Sequence, residues 1–349
     1  MNFLCGPIKM IAAHGFVDSM PRVRHRGTAE LAKVALIGLG IMGRRMLTHM
    51  GLHPAFAPRF LWDPSPQACA AAQAIAPEAE VTPTAQAAMA GADLVYLACP
   101  PVPRKAYALA AANAGKAVFL EKPLGIDIPE SRDLVDRLAA AGVPAAVNFT
   151  QAAGQALADT TEAARSGAIG ELLGVDIIVT YATWPRAWQK EADWLRFRAE
   201  GGYTREVISH FLFFTERVLG PTRLIHARPD YPADIALCET HILARLESAD
   251  GSPVSIFGAV GGAQPDRQEL TVKGSLQSHR ISEFHRHAVS DGGPFFATRP
   301  DPGDPRAEAL GRQLNELEKC LAGEPHLLAT PAEALSVQER VEAMLSGVG

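Results

Sequence analysis

Long apolar runs are missing. No stretch of the 349 residues approaches the roughly 20 consecutive apolar residues that a membrane-spanning helix needs, so no membrane partner is expected. A basic excess is missing too: 33 Lys and Arg face 38 Asp and Glu, a formal net charge of −5. Nucleic-acid binding needs a concentrated positive face, so no nucleic-acid partner is expected either. Cysteine is scarce. The five cysteines, at 5, 69, 99, 238 and 320, include no close pair, which excludes a zinc-ribbon spacing and suits a reducing cytoplasm. Met1 to Phe16 is interrupted by Lys9 and His14 with no small-residue cleavage site after it, and Arg22-Val-Arg24-His25-Arg26 holds no adjacent arginine pair. Neither a secretory nor a twin-arginine signal is read there, and residues 1–32 are expected to form a loose N-terminal extension. What remains is ordinary for a soluble globular protein: 48% apolar and 20% charged residues, and length enough for about two domains.

The stretch Val34 to Gly43 reads V-A-L-I-G-L-G-I-M-G. An apolar run suited to a buried parallel strand meets Gly38-x-Gly40-x-x-Gly43, and a helix pattern follows. Strand, glycine turn and helix in that order are the context a dinucleotide fingerprint requires. Gly38 permits the tight turn, Gly40 lets backbone approach a pyrophosphate, and Gly43 lets helix pack on strand. Ile41 and Met42, at the helix start, offer free N–H groups and a positive dipole end to phosphates. Asp63 follows the apolar run Phe60-Leu61-Trp62, twenty residues beyond Gly43, where a carboxylate would accept bonds from ribose hydroxyls.

From residue 33 to about 150, short apolar runs alternate with alanine-rich helical stretches, which predicts βαβ units and a parallel sheet covered on both faces. Cys99-Pro100-Pro101 and Glu121-Lys122-Pro123 fall, like the glycine turn and Asp63, at carboxyl ends of predicted strands, where ligands sit on such sheets. Beyond residue 150 the rhythm changes. Helices are expected near 154–165 and 201–219. Strands are expected at 172–181, 223–227, 238–247, 254–260, 269–273 and 280–284, in series and therefore antiparallel. Residues 290–305 read as a loop, and helices near 306–321 and 331–345 close the chain. The fold class is thus α/β: an N-terminal Rossmann-type domain over 33–150, and a C-terminal α+β domain over 151–349 with a large, mainly antiparallel open sheet.

The glycine fingerprint, Asp63, Cys99-Pro100-Pro101 and Ala114-Gly115-Lys116 ahead of Glu121-Lys122-Pro123 resemble the glucose–fructose oxidoreductase, inositol dehydrogenase and MocA family. Gly167-Ala-Ile-Gly170-Glu171, Gly201-Gly202 with His210 beyond, and Thr330-Pro331-Ala-Glu333 extend the resemblance over roughly 33–346. It implies NAD(P)-dependent oxidation of a hydroxyl on a sugar, polyol or related small molecule. It also implies a homo-oligomer, dimer or tetramer, built through the open sheet. The chain departs from the family pattern at Glu206, Arg104, Thr150 and Phe213, where Asp, His, Arg and Asp are common, so a divergent subgroup is expected.

Oxidising an alcohol needs a hydride acceptor, a base for the hydroxyl proton and a group that orients the oxygen. Lys122 stands where it can polarise the reacting oxygen; the alternative is a lysine that satisfies backbone carbonyls or cofactor phosphates. Glu206 and His210, four apart, would share one helix face, and a carboxylate beside an imidazole raises its proton affinity; the alternative is an ordinary helical ion pair. Trp184, Trp188 and Trp194, interleaved with Arg186, Lys190, Arg196 and Arg198, suit either a ring or anionic substrate or a subunit contact. His285-Arg286-His287 lacks a third ligand at metal spacing, so no metal is expected, and Cys99 is expected to pack. Asp63 would repel a 2′-phosphate and no Lys or Arg occurs from Phe60 to Pro103, so the expected cofactor is NAD, with NADP as the alternative. The expected function is an NAD(P)-dependent dehydrogenase; a hydrolase or lyase using tightly bound NAD for transient oxidation and a non-catalytic dinucleotide sensor remain as alternatives.

Overall fold

The computed structural model describes residues 31–347; the extension expected over residues 1–32 lies, all but its last two residues, outside them. The first layer alternates strand and helix as β1 (Ala32–Ile37), α1 (Ile41–Leu52), β2 (Phe56–Trp62), α2 (Pro66–Ile75), β3 (Glu80–Val81), α3 (Ala85–Ala90), β4 (Leu94–Leu97), α4 (Pro101–Asn113), β5 (Ala117–Glu121), α5 (Ile128–Ala141) and β6 (Ala145–Asn148). The six strands are all parallel, in the order β3-β2-β1-β4-β5-β6, the doubly wound arrangement. Val34 to Ile37 and Leu94 to Leu97 have no exposed surface at all, as strands covered by helices on both faces require. Fully burying one Leu or Ile side chain stabilises the fold by roughly 1.5–3 kcal/mol.

Helix starts follow local chemistry. Ser65, Thr84 and Asp127 each accept a backbone N–H from the first turn of α2, α3 and α5, and Gly142 closes α5 in the left-handed conformation, φ 65°. The strand β3 and helix α3 are additions to the expected pattern. Two residues of strand show no alternation, and six of helix carry too little periodicity to read.

The second layer comprises α6 (Gln155–Arg165), β7 (Leu172–Tyr181), α7 (Ser209–Leu219), β8 (Thr222–Asp230), β9 (His241–Ser248), β10 (Pro253–Val260), β11 (Arg267–Gly274), β12 (Ser278–Ser282), β13 (Arg286–Ser290), β14 (Phe296–Ala297), α8 (Pro305–Ala322) and α9 (Pro331–Ser346). Its eight-stranded sheet runs β14-β13-β12-β11-β7-β10-β9-β8. The sheet is mainly antiparallel, with one correction to a purely antiparallel series: β7 and β10 pair in parallel. The long excursion through α7 between β7 and β8 allows β7 to insert in the middle of the sheet. Expected loop 290–305 contributes the two-residue β14.

One core joins the layers, from Ile37, Val95 and Leu120 through Phe149 and Phe213 to Val175, Ile177 and Leu270. Helix α8 follows the second sheet in the chain yet returns to the first: Leu310, Leu314 and Leu317 pack with Val34, Leu36 and Met46. Among the described residues no helix is long and apolar enough to cross a membrane.

Candidate active site

A cleft of about 1090 Å³ opens between the carboxyl ends of the first sheet's strands and the helical side of the second sheet. Single-ligand pockets run to roughly 1,000 Å³, so the volume suits a cofactor together with a substrate. Gly38, Gly40, Ile41, Met42, Asp63, Cys99, Pro100, Glu121, Lys122, Glu206 and His210 all line it. Gly43 and Pro101 stand behind the wall instead. A Cβ on Gly43 would lie 2.0 Å from the Gly38 carbonyl oxygen, so its bare Cα is what lets α1 sit on the glycine turn. Pro101 is buried as the first residue of α4.

The glycine turn tests whether a dinucleotide fits. Gly38 has φ +92°, and a Cβ there would meet the Cys99 backbone nitrogen at 2.4 Å; a Cβ on Gly40 would meet nothing within 4 Å. Gly38 and Gly43 are therefore packing glycines, and Gly40 leaves an open cradle at the α1 N-terminus, where a diphosphate is welcome. Asp63 is fixed at the end of β2 by the Leu39 N–H on Oδ2 (2.7 Å) and the Ser65 N–H on Oδ1 (2.8 Å). Each oxygen keeps a lone pair for a ribose hydroxyl. The residues present fit a dinucleotide.

Glu121 is buried. Its Oε1 accepts from the Tyr96 hydroxyl (2.5 Å) and the Asn148 amide (2.7 Å). Burial pushes its carboxyl pKa up, against those hydrogen bonds and the charges of Lys122 and Arg104. Arg104, also buried, donates to the backbone carbonyls of Cys99 and Pro123 and so ties the Cys99 turn to the Lys122 turn. Burial pushes the Cys99 thiol pKa up as well, which keeps it protonated and inert.

Lys122, whose side chain is 8% exposed, reaches across to the second layer. Its Nζ lies 2.6 Å from Glu206 Oε2 and donates to the Glu206 carbonyl oxygen at 2.9 Å. This overturns the expected Glu206–His210 pair. Residues Thr204–Ile208 form a π turn ahead of α7, which widens the backbone spiral and takes Glu206 off the face that four-residue spacing would give it. The turn is anchored by two buried acid contacts that the sequence did not announce. Glu239 accepts the Thr204 N–H at 2.8 Å, and Arg205 forms a two-pronged pair with Glu342 of α9 at 2.6 and 2.7 Å.

His210 is buried between Phe149 and Phe284, each 5.5 Å from it and nearly perpendicular. Phe213, one of the departures from the family pattern, stacks on Phe149 at 4.7 Å and makes that wall apolar. Desolvation, then the charges of Lys122 and Arg186, hold the His210 pKa well below its ordinary value, the reverse of the direction expected from a neighbouring carboxylate. Its Nδ1 is buried with no hydrogen-bond partner. The ring is therefore neutral at pH 7 and can accept a proton. Phe284 reaches it from a turn in which Glu283 (φ 50°) and Phe284 (φ 68°) both take left-handed backbone, a feature no residue type in that turn signals.

The tryptophan segment faces the cleft: Arg186, Trp188 and Trp194 line it, together with Arg306 from α8. Trp184 packs on Tyr181 and Tyr203 and donates Nε1–H to Leu195 at 3.0 Å. His285 lies at the cleft edge, whereas His287 is buried 3.0 Å from His279, so the two diverge.

Residues 32–149 match the model of an oxidoreductase family with an NAD-binding Rossmann fold, GFO_IDH_MocA. No curated protein matches the sequence. Among solved structures, levoglucosan dehydrogenase in complex with NADH and levoglucosan superimposes with TM-score 0.79 at 18% identity, covering 91% of this chain and 97% of that one. An inositol dehydrogenase homologue of Azotobacter vinelandii with NAD+ gives TM-score 0.78 at 19% identity over 92% and 97%. The WlbA dehydrogenase of Bordetella pertussis, with NADH and UDP-GlcNAcA, gives 0.73 at 22% over 89% and 94%. At such identities the likeness speaks for the fold, and the fold is the same across both layers. Residues 32–149 are thus similar to the Gfo/Idh/MocA family of NAD-binding oxidoreductases, and the architecture of the described length is shared with the solved dehydrogenases.

Proposed function

We propose that the protein is an NAD-dependent dehydrogenase of a hydroxyl group on a sugar, polyol or related small molecule. The observation that carries this reading is the meeting of Lys122 from the first layer with Glu206 and His210 from the second, above the glycine cradle. Gly40, the N–H groups of Ile41 and Met42, and Asp63 would hold the dinucleotide, with Cys99, Pro100 and Lys122 at its nicotinamide end. The bound nicotinamide supplies a two-electron acceptor at the substrate carbon.

Lys122 uses two of its N–H groups on Glu206, and the third is free to donate to the substrate oxygen. That contact orients the hydroxyl and stabilises negative charge on the oxygen as its proton departs. Neutral His210 accepts that proton. Glu206 keeps the ammonium in place, Arg104 and Glu121 hold the loop that carries it, and Phe149, Phe213 and Phe284 keep water from the imidazole.

The ligands of the structural neighbours, levoglucosan and UDP-GlcNAcA, support a carbohydrate-like substrate. NAD is preferred to NADP because Asp63 would face the 2′-phosphate. A homo-oligomer in the cytoplasm completes the reading. Leu243, Phe257 and Ile178 form a cross-strand row on the sheet face turned away from the core, and the four described cysteines are all free and buried. Incubating the protein with NAD and a panel of sugars, inositols and sugar acids, and following NADH absorbance, tests the assignment. NADH formation with at least one of them is expected; tightly bound NAD that is never consumed while a bond in the substrate is cleaved would replace it with the hydrolase or lyase reading.

A further inference from the structure

Three guanidinium groups converge on one indole in the cleft. Arg186 lies 4.8 Å, Arg306 4.7 Å and Arg45 5.6 Å from the centre of the Trp188 ring. They come from three parts of the chain: the connection after β7, the first turn of α8 and the second turn of α1. Among the described residues none of the three is ion-paired with a carboxylate. Two acids close to the cluster in the chain are otherwise engaged. Asp304 caps α8 through the Arg306 and Ala307 N–H groups, and Glu191 takes Arg44 at 2.7 Å. Arg186 gives its Nε–H to Gln189 at 3.0 Å, which leaves the outer prongs of its fork unused.

Stacking on an indole holds a guanidinium flat but satisfies none of its N–H donors. Like charges gathered this closely repel. Arg306 shows it, its pKa lowered by burial first and then by the charges of Arg45 and Arg186. An anion would offset that repulsion and fill the open donors in the forked geometry that suits carboxylate and phosphate. The cluster also adjoins the reacting centre, because Arg186 lies over Tyr181 at the end of β7 and its charge is felt by His210.

We propose that the substrate carries an anionic group, a carboxylate or a phosphate, held by Arg45, Arg186 and Arg306 against Trp188. The substrate class is then an acidic or phosphorylated hydroxy compound. This rests on the hydride-transfer reading and narrows it. The competing occupant is the cofactor's own diphosphate. The open cradle at Gly40 and the α1 N-terminus already serve that group, and Arg186 belongs to the other layer.

The test is calorimetric titration of inorganic phosphate and of malonate into wild-type protein, with and without saturating NAD, and into Arg186→Gln and Arg306→Gln. Saturable binding of at least one anion to the NAD-loaded wild type is expected, weakened at least tenfold in each variant, while the NAD dissociation constant stays within about threefold. Preference for phosphate or for malonate tells which anionic group the site takes. Absence of anion binding to the NAD-loaded wild type overturns the proposal, as does a loss of NAD affinity in the variants that matches their loss of anion affinity. Failure of the wild type to bind NAD at all would instead sink the dehydrogenase reading, and the anion titrations without NAD still report on the cluster. Circular dichroism of both variants guards against misfolding.

Discussion

The Nζ of Lys122 lies 2.6 Å from the Oε2 of Glu206, and this contact joins the two layers of the molecule across the cleft. With side-chain exposures of 8% and 21%, the pair is screened far less than a surface ion pair. Glu206→Gln keeps the shape of the contact but leaves the ammonium with no counter-charge. Hydrogen bonds to charged groups contribute about 1.5–3 kcal/mol, so kcat should fall roughly 10- to 100-fold while the NAD dissociation constant barely moves. Steady-state kinetics with NAD binding by fluorescence checks this, and an unchanged kcat would remove Glu206 from the site.

The state of His210 predicts a pH dependence. Its folded pKa lies well below the ordinary value near 6.5, so between the two the unfolded chain binds a proton that the folded one refuses. The stability contributed by the neutral buried ring is present above about pH 6.5 and is lost as pH falls below it. His279, lowered to about 4, and His287 act in the same direction. Thermal unfolding should occur at lower temperature at pH 5 than at pH 7, and His210→Gln should flatten that difference in part. The acid limb of kcat/KM should lie well under pH 6.5; a limb at or above 6.5 would show that His210 binds its proton more tightly than its surroundings allow.

The two glycines at the ends of the fingerprint's second half should respond differently to one methyl group. Gly40→Ala meets open space and Gly40 has φ −69°, which alanine accepts. The variant should fold with an unchanged melting temperature yet bind NAD at least tenfold more weakly, since the methyl occupies the diphosphate cradle. Gly43→Ala drives a Cβ to 2.0 Å from the Gly38 carbonyl oxygen, so backbone must move and stability must fall by several kcal/mol. Differential scanning calorimetry and NAD titration on both variants separate the two roles.

Arg205 and Glu342 form a two-pronged pair, 10% and 17% exposed, that pins α9 to the π turn. Removing one partner of such a pair leaves a stranded charge and costs about 3 kcal/mol. Glu342→Ala should therefore be clearly less stable than wild type in urea. Replacing both with Met and Leu should recover much of the loss. Because the same turn carries Glu206, the single variant should also lose turnover. Retained turnover would show that α9 has no part in holding the site.

Much of this arrangement was legible in the residues. The strand, glycine turn and helix and the buried apolar strands are local signals, and local signals survive folding. Gly38 to Met42, Asp63 and Lys122 announced themselves by position at strand ends, where topology alone brings them to one edge. What stayed hidden depends on contacts distant in sequence. Arg104 takes the carbonyls of Cys99 and Pro123; Glu239 anchors Thr204; Arg306 reaches the cleft from α8; Phe284 closes on His210. No spacing rule links those pairs. The Glu206–His210 misreading has a single cause. Four-residue spacing means one face only in an α-helix, and the π turn at Thr204–Ile208 breaks that assumption without leaving a sequence mark.

The most direct test of the account is single-turnover NADH formation, with NAD saturating and an accepted substrate, by wild type, Lys122→Ala and His210→Gln. Both variants should bind NAD with wild-type affinity and form NADH at least 100-fold more slowly, in line with the roughly 10²- to 10⁴-fold that a positioned proton-transfer group contributes. NADH formation at the wild-type rate in either variant would contradict the claim that the two side chains act together on one hydroxyl.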